Sequence, residues 1–171
     1  GLLNFVRYGF NHFEVSSTET FDLAIGMKFG APSFYNIFEI SSPRLEGSRT
    51  IFSRPPHWAL GYGIGTNLRY RKRLSYLLEV MIHQVNEGEI WSRELNTLGQ
   101  IRFIVNLRLL KHLSFFGGPT LNIFMSNRVD ADTNTFKSAI FQDHYTTYRG
   151  LAGFKAQKIQ TWVGYKFGIR F

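Results

Sequence analysis

The chain has 171 residues, of which 44% are hydrophobic and 16% aromatic, and it carries a formal net charge of +8 and no cysteine. This length is typical of one domain, and the apolar content argues against a disordered chain. No stretch of about 18 consecutive apolar residues is present, so a membrane-spanning helix is not predicted. The absence of cysteine excludes a disulfide framework and a thiolate metal site. We therefore expect one folded domain over residues 1–171 whose positive charge favours an anionic partner.

The dominant pattern in the chain is the alternation of apolar with small or polar residues, which is typical of β-strands. The first strand that we predict, 3–14, alternates imperfectly. The second, 20–30, sets Phe21 and four further large apolar residues against Asp22, Lys28 and three small residues. The third, 33–41, carries Asn36 on its otherwise apolar face.

The middle and last strands alternate more regularly. In residues 57–71 a face of large apolar side chains opposes Ala59, three glycines, Asn67 and Arg69. The sequence predicts further strands at 74–85, 97–109, 112–125 and 158–171, which makes eight. Pro119 cannot donate to a β-ladder, so we expect a bulge or kink there. Residues 136–141 and 146–154 retain strand-like composition and indicate a hairpin within the long segment 126–157.

The connections between these strands alternate in length. The short ones lie at 31–32, 72–73 and 110–111, and the long ones at 42–56, 86–96 and 126–157. A short connection at 16–19 is the exception. Alternation of short turns with long loops is typical of outer-membrane barrels whose termini both face the periplasm.

The two faces of the predicted strands are unusual for a soluble sheet. The polar face is rich in Gly, Asn, Gln and Arg and contains few of the Lys, Glu and Thr residues that cover a solvated sheet. This favours an all-β fold, an eight-stranded antiparallel up-and-down transmembrane β-barrel with a polar, plugged lumen. We predict an ionic network in this lumen, formed by Asp22, Lys28, Arg69, Glu79, Arg102, Arg108, Lys166 and Arg170. The aromatic residues expected at the membrane interfaces are Trp58, Tyr70, Tyr76, Trp162 and Phe171.

The C-terminal run from Trp162 to Phe171 resembles the last strand of bacterial outer-membrane barrels. The blocks 61–84 and 110–126 resemble strand, tight turn and strand units of small barrel proteins from the Bacteroidota. The resemblance covers residues 57–171 and implies a Gram-negative outer-membrane location, with lipid including lipopolysaccharide and the barrel-assembly machinery as partners. It also implies an assembly signal at Tyr165, Phe167, Ile169 and Phe171. Some proteins of this group carry domains before the barrel, so the chain is expected to be either a whole barrel protein or the C-terminal part of a longer one.

Candidate catalytic residues fall in two places. Glu79 and His83 share the lumen face with Ser75, but four residues along a strand span about 13 Å, so a cross-strand partner would have to complete a site. Asp143 and His144 lie in the long last segment, where adjacent side chains of an extended loop point apart. Structural packing is the favoured interpretation of Glu79 and His83, and an ordinary polar loop is the favoured interpretation of Asp143 and His144.

Other binding chemistry is weakly indicated. The glycines at 61, 63 and 65 do not match a dinucleotide loop, because no helix follows. The five histidines show no metal-ligand spacing, so neither a metal nor another cofactor is predicted. The basic residues form no continuous stripe, which argues against nucleic acid. Arginines in the long segments are equally compatible with lipid phosphates, with an acidic partner and with plain solvation: Arg44, Arg49, Arg54, Arg93, Arg128 and Arg149.

Three functions remain from the sequence. The favoured one is a non-enzymatic outer-membrane barrel that acts as a structural or interaction protein, with other envelope proteins as candidate partners in a larger complex. The second is an outer-membrane enzyme acting on lipid or protein at the external rim. The third is a small anion-selective pore. A soluble lipid-binding barrel would require the apolar face to point inward.

Overall fold

A computed structural model describes residues 12–31, 33–43, 57–70, 73–87, 96–126, 146–149 and 158–171. These residues form nine β-strands: β1 His12–Thr18, β2 Phe21–Ala31, β3 Phe34–Pro43, β4 His57–Tyr70, β5 Leu74–Glu87, β6 Asn96–Leu110, β7 Leu113–Ser126, β8 Thr146–Arg149 and β9 Lys158–Arg170. In this part of the chain no helix is long and apolar enough to cross a membrane.

Eight of the strands form a closed antiparallel barrel, which confirms the prediction of an all-β, eight-stranded antiparallel barrel. Each strand from β1 to β6 pairs with the next in sequence, β7 pairs with β9, and β9 pairs with β1. The short strand β8 lies outside this ring and pairs with β9 at residues 158–161. Closure leaves no free edge along the paired part of the barrel, because each paired strand has a neighbour on both sides.

The register of the strand pairs measures the stagger of the barrel. Following paired residues once around the ring from Arg170 of β9 leads back to Gln160 of β9, a displacement of ten residues. The path runs through inward-facing positions: Glu14, Gly26, Glu39, Gly61, His83, Leu98 and Phe124. A stagger of this kind requires the strands to tilt by about 35–45° from the barrel axis.

The two ends of the barrel differ in their connections. At the lower end, short connections join β2 to β3, β4 to β5 and β6 to β7, and the end of β9 lies beside the start of β1. At the upper end, β3 to β4, β5 to β6 and β7 to β9 are joined by long segments that mostly fall outside the described residues. The β1–β2 connection is the short exception, as predicted, and consists of Glu19 and Thr20.

The structure corrects two sequence expectations about the strands. β1 spans His12–Thr18 and so runs four residues beyond the predicted end at 14, while residues 1–11 lie outside the described part of the chain. At Pro119 the register between β6 and β7 is the same on both sides, although pairing is interrupted opposite Phe103 and Ile104. The proline removes ladder bonds without adding a residue, so no bulge forms.

Side chains inside the barrel are arranged in layers. An apolar cluster toward the upper end contains Phe21, Ala59, Val85, Leu98, Phe124 and Trp162. A second cluster toward the lower end contains Tyr35, Ile37, Leu77, Met81, Ile104 and Phe116. Trp162 is only 6% exposed, so its predicted place among outward-facing interface aromatics was wrong. Charged and polar residues lie between and beside the two clusters.

Candidate functional site

Among the described residues, seven charged side chains are buried inside the barrel, each at most 3% exposed. We call them the ionic cluster: Glu14, Lys28, Glu39, Glu79, Arg102, Lys166 and Arg170. They come from six different strands, and each occupies an inward position because side chains alternate between the two faces of a strand. The cluster therefore exists only in the closed barrel.

Glu39 is the centre of the most connected part of the cluster. Its two carboxylate oxygens accept hydrogen bonds from Arg102 Nη1 at 3.0 Å and Nη2 at 2.8 Å, a two-point contact between guanidinium and carboxylate. Lys166 Nζ donates to Glu39 Oε2 at 2.6 Å. His83 Nε2 lies 3.0 Å from Glu39 Oε1. One carboxylate thus holds side chains from β5, β6 and β9.

Glu14 forms a second centre nearer the lower end. Its oxygens lie 3.0 Å from Lys28 Nζ, 2.9 Å from Lys166 Nζ and 3.1 Å from Arg170 Nη2. Lys166 contacts both Glu14 and Glu39, so it joins the two centres. Because Glu14 lies on β1 and two of its partners lie on β9, these ion pairs bridge the closing seam of the barrel.

Glu79 is the third buried carboxylate. Its Oε1 accepts from Lys28 Nζ and, at 3.0 Å, from the hydroxyl of Tyr35. Its other oxygen, Oε2, is buried and has no hydrogen-bond partner. Charge burial is costly unless the charges are paired, and within the cluster four cations share three carboxylates.

A polar chain extends from the ionic cluster toward the upper end of the seam. Arg102 donates to Gln100, Gln100 donates to Asn122 at 2.7 Å, and Asn122 donates to Glu19 at 2.7 Å. Glu19 also accepts from the backbone N–H of Tyr165 at 2.7 Å. β1 pairs with β9 only up to Thr18. The Glu19 carboxylate therefore takes the place of the backbone carbonyl to which the Tyr165 N–H would donate if β1 were longer.

The glycines of β4 make room for the large side chains around the cluster. Gly61, Gly63 and Gly65 all face inward, and a Cβ atom at these positions would collide with His83, Met81 and Tyr35 respectively. These glycines were predicted to be small residues that face the lumen, and the structure shows why they are small. A side chain of a neighbouring strand packs against the backbone of each one.

Most of the residues predicted for the lumen network do lie inside the barrel. Lys28, Glu79, Arg102, Lys166 and Arg170 belong to the ionic cluster, and Arg108 is half-buried on the inner face at the lower end. The side chain of Arg69 lies outside the described part of the structure.

The placement of Asp22 in the lumen was wrong, because its side chain is exposed on the outer side of β2. The register shifts between Phe21 and Leu23, so Phe21 points inward while Asp22 and Leu23 both lie outside. A bulge changes the direction of side chains without changing their spacing in sequence.

Two central residues of the cluster, Glu14 and Glu39, were not predicted. Glu39 occupies the inward set of β3 with Tyr35 and Ile37, so the alternation of that strand could have identified it. Glu14 falls at the end of the imperfect first strand, where the sequence pattern is weakest. Two of the three carboxylates that balance the predicted cations were thus missing from the sequence interpretation, and only Glu79 had been included.

The described catalytic candidates contact different partners. Glu79 bonds with Lys28 and Tyr35, His83 with Glu39, and the Ser75 hydroxyl accepts from Asn106 at 3.3 Å. Among the described residues these side chains do not form a triad of nucleophile, base and acid. Asp143 and His144 lie outside the described part of the chain. Within that part no group of three His, Asp or Glu side chains is arranged to hold a metal ion.

The residues of the expected assembly signal lie along the outer face of β9 and just beyond its end. Tyr165, Phe167 and Phe171 are each about half exposed, and Ile169 is half-buried. The backbone of Phe171 exchanges hydrogen bonds with Phe13, at 2.8 Å and 3.3 Å, so it continues the β1–β9 ladder. Recognition of these residues by an assembly machinery stays a prediction.

Comparison of the chain with protein-family models, with curated proteins and with solved structures gave no match in any of the three. The class that the structure defines is a closed eight-stranded antiparallel β-barrel. The function is therefore argued from the geometry of the barrel and the chemistry of its two faces.

Proposed function

We propose that this chain spans a bacterial outer membrane as a non-enzymatic β-barrel and acts there as a structural or interaction protein, a candidate subunit of a larger envelope assembly. The observation that carries the proposal is the distribution of side chains on the barrel wall. Charged side chains lie inside the barrel, and large apolar side chains lie on its outer surface.

The outer surface has the composition expected for contact with lipid. Among the described residues, twenty-six large hydrophobic side chains between Phe13 and Phe171 are at least 36% exposed. Among the strand side chains that the structure describes, Asp22 is the only charged one directed outward, and it lies at the upper end of β2. A soluble monomer rarely exposes apolar patches beyond a few hundred Å².

The strand lengths are also compatible with a membrane crossing. A transmembrane strand needs about 9–11 residues, and all the barrel strands except β1 contain between 10 and 15. β1 has seven residues, and Glu19 extends its contact with β9. The closed ladder supports the proposal further, because backbone groups facing hydrocarbon must be paired within the barrel.

The interior favours a scaffold over an open pore. Arg102, Lys166 and Lys28 reach across the lumen to carboxylates on other strands, and an eight-stranded barrel has an interior just wide enough for side chains to fill. The second candidate is an anion-selective pore, which is favoured by the excess of four cations over three carboxylates in the ionic cluster.

Insertion is tested by refolding the chain into phosphatidylcholine vesicles with a spin label at position 80 or at position 81. Val80 is 45% exposed and Met81 is fully buried, and they are neighbours on β5. We expect a lipid-soluble relaxation agent to reach the label at 80 and not the label at 81. Equal access at both positions, or access from water only, would contradict the transmembrane placement.

The choice between scaffold and pore is made by conductance across a planar bilayer. A scaffold closed by the ionic cluster shows no steady conductance. The Glu39→Ala variant, which removes the acceptor shared by Arg102 and Lys166, serves as a comparison, with Asp22→Asn as a control outside the lumen. Reproducible anion-selective channels in the unmodified protein would establish the pore instead.

A further inference from the structure

The lower end of the barrel is strongly basic, and no part of the proposed function uses that property. Four of the sequence stretches at this end, 28–38, 66–78, 104–118 and 165–171, contain no Asp or Glu, and the start of β1 adds Glu14, which faces the lumen. They contain nine of the 20 lysines and arginines of the chain. Acids and bases are mixed in the segments of the upper end, so the asymmetry belongs to the lower end alone.

Four described cations of this end lie in a row, namely Arg73, Arg108, Lys111 and Arg170, whereas Lys28 and Lys166 are buried in the ionic cluster. Arg170 of β9 and Arg108 of β6 both pair in register with Ser114 of β7, which lies between them. The backbone N–H of Arg108 donates to the carbonyl of Arg73 at 2.8 Å, which brings the β4–β5 connection beside β6. Lys111 and the adjacent His112 form the next turn and are exposed.

Arg170 differs from the other members of this row because its side chain lies inside the barrel. It is 3% exposed, and its Nη atoms bond with Glu14 and Asn106. It therefore adds positive charge to the lower end without taking part in an exposed binding surface.

Exposed apolar side chains lie directly beside these cations. The register between β6 and β7 shifts between Arg108 and Leu110, and as a result Leu109 and Leu110 are both exposed on the outer side, at 51% and 65%. Phe115, on the following strand, is 47% exposed. Cations thus border an apolar surface at the height where one end of the barrel meets solvent.

We propose that three members of this row, the exposed Arg73 and Lys111 and the half-buried Arg108, bind the phosphate groups of anionic phospholipids in the leaflet at the lower end of the barrel. One guanidinium group can donate two parallel hydrogen bonds to the oxygens of a phosphate, and Lys111 adds a compact positive charge. The acyl chains of the same lipid cover Leu109, Leu110 and Phe115, which an acidic soluble protein would leave uncovered. The inference rests on the proposed membrane placement and adds the lipid class and the end of the barrel that binds it.

The experiment uses the refolded chain in phosphatidylcholine vesicles that contain a trace of spin-labelled phosphatidylglycerol or spin-labelled phosphatidylcholine. Electron paramagnetic resonance measures the fraction of each label whose motion the protein restricts. We expect an excess of restricted phosphatidylglycerol of about twofold, which salt reduces because exposed charges are screened. The Arg73→Gln/Lys111→Gln double variant should lose most of this excess, and the charge-preserving Arg73→Lys/Lys111→Arg variant should retain it.

Each failure has a separate meaning. A chain that does not insert, as measured by protease protection before the lipid measurement, contradicts the proposed function. An inserted chain that restricts both labels equally overturns the lipid inference alone. Binding of a polyglutamate peptide to the detergent-solubilised protein, with the same dependence on Arg73 and Lys111 and without lipid preference, would assign the row to an acidic protein and overturn the inference.

Discussion

The two faces of strand β5 show how one short segment serves two environments. Leu78, Val80 and Ile82 point outward and are 36–60% exposed, whereas Glu79 and His83 point inward and are fully buried. In a soluble protein the exposures of these two sets would be reversed. The contrast shows that the interior of this barrel is held together by charge pairing, whereas its outer face exposes apolar side chains that the proposed membrane would cover.

The largest expected effect comes from breaking the ionic cluster at its most connected residue. Glu39→Ala removes the acceptor of Arg102, Lys166 and His83 and leaves their charges or donors buried. We expect a loss of about 3–5 kcal/mol in the free energy of unfolding. Urea titration of the vesicle-inserted protein measures it. Asp22→Asn, which neutralises an exposed carboxylate, should stay within about 0.5 kcal/mol of the unmodified protein. Equal stability of the two variants would show that the ion pairs do not hold the barrel.

The outer face is tested by placing a charge on it. Val80→Arg should cost about 2–4 kcal/mol if position 80 lies near the bilayer midplane, and Gln84→Arg, closer to the upper end of β5, only about 0–1 kcal/mol. Both side chains are exposed, so packing does not distinguish them. The same unfolding assay applies. If both variants are as stable as the unmodified protein, the outer face does not contact hydrocarbon.

Packing against the β4 glycines gives a smaller effect. Gly65→Ala would place a methyl group against the ring of Tyr35, which is fully buried, and we expect a cost of about 1–3 kcal/mol. Gly99→Ala is the matched control, because its nearest neighbour would be a carbonyl oxygen at 3.6 Å. A destabilisation at position 99 as large as that at position 65 would mean that any alanine in these strands is unfavourable, whatever its neighbours.

The smallest thermodynamic effect is expected at the last residue. Phe171 is 53% exposed, so deleting it should cost about 1 kcal/mol of burial, and detergent refolding should remain nearly intact. If the terminal residues are an assembly signal, membrane insertion in cells should fall sharply in the same variant. Insertion is measured by membrane fractionation. If refolding in detergent and insertion in cells fall by the same amount, Phe171 has a structural role only. If insertion in cells is unchanged, the support for an outer-membrane signal is removed.

The sequence by itself determined the number of barrel strands and most of their faces. Alternation is a local property, since each side chain points opposite to its neighbour, and strands such as β4, β6 and β9 show it over most of their length. For this reason Lys28, Arg102 and Lys166 could be assigned to the interior before their partners were known. The alternation of long and short connections indicated which ends of the strands lie together.

Only the tertiary structure decided which charges meet and where the pattern fails. Glu39 finds its partners on β5, β6 and β9, at positions set by the ten-residue stagger accumulated over all strand pairs around the ring, which no single strand encodes. One register shift after Phe21 turned Asp22 outward. The limits of β1 were likewise determined by pairing with β2 and β9, because its own alternation was too weak to define them. Register is a property of paired strands and of barrel closure, so it appears only when the whole ring is assembled.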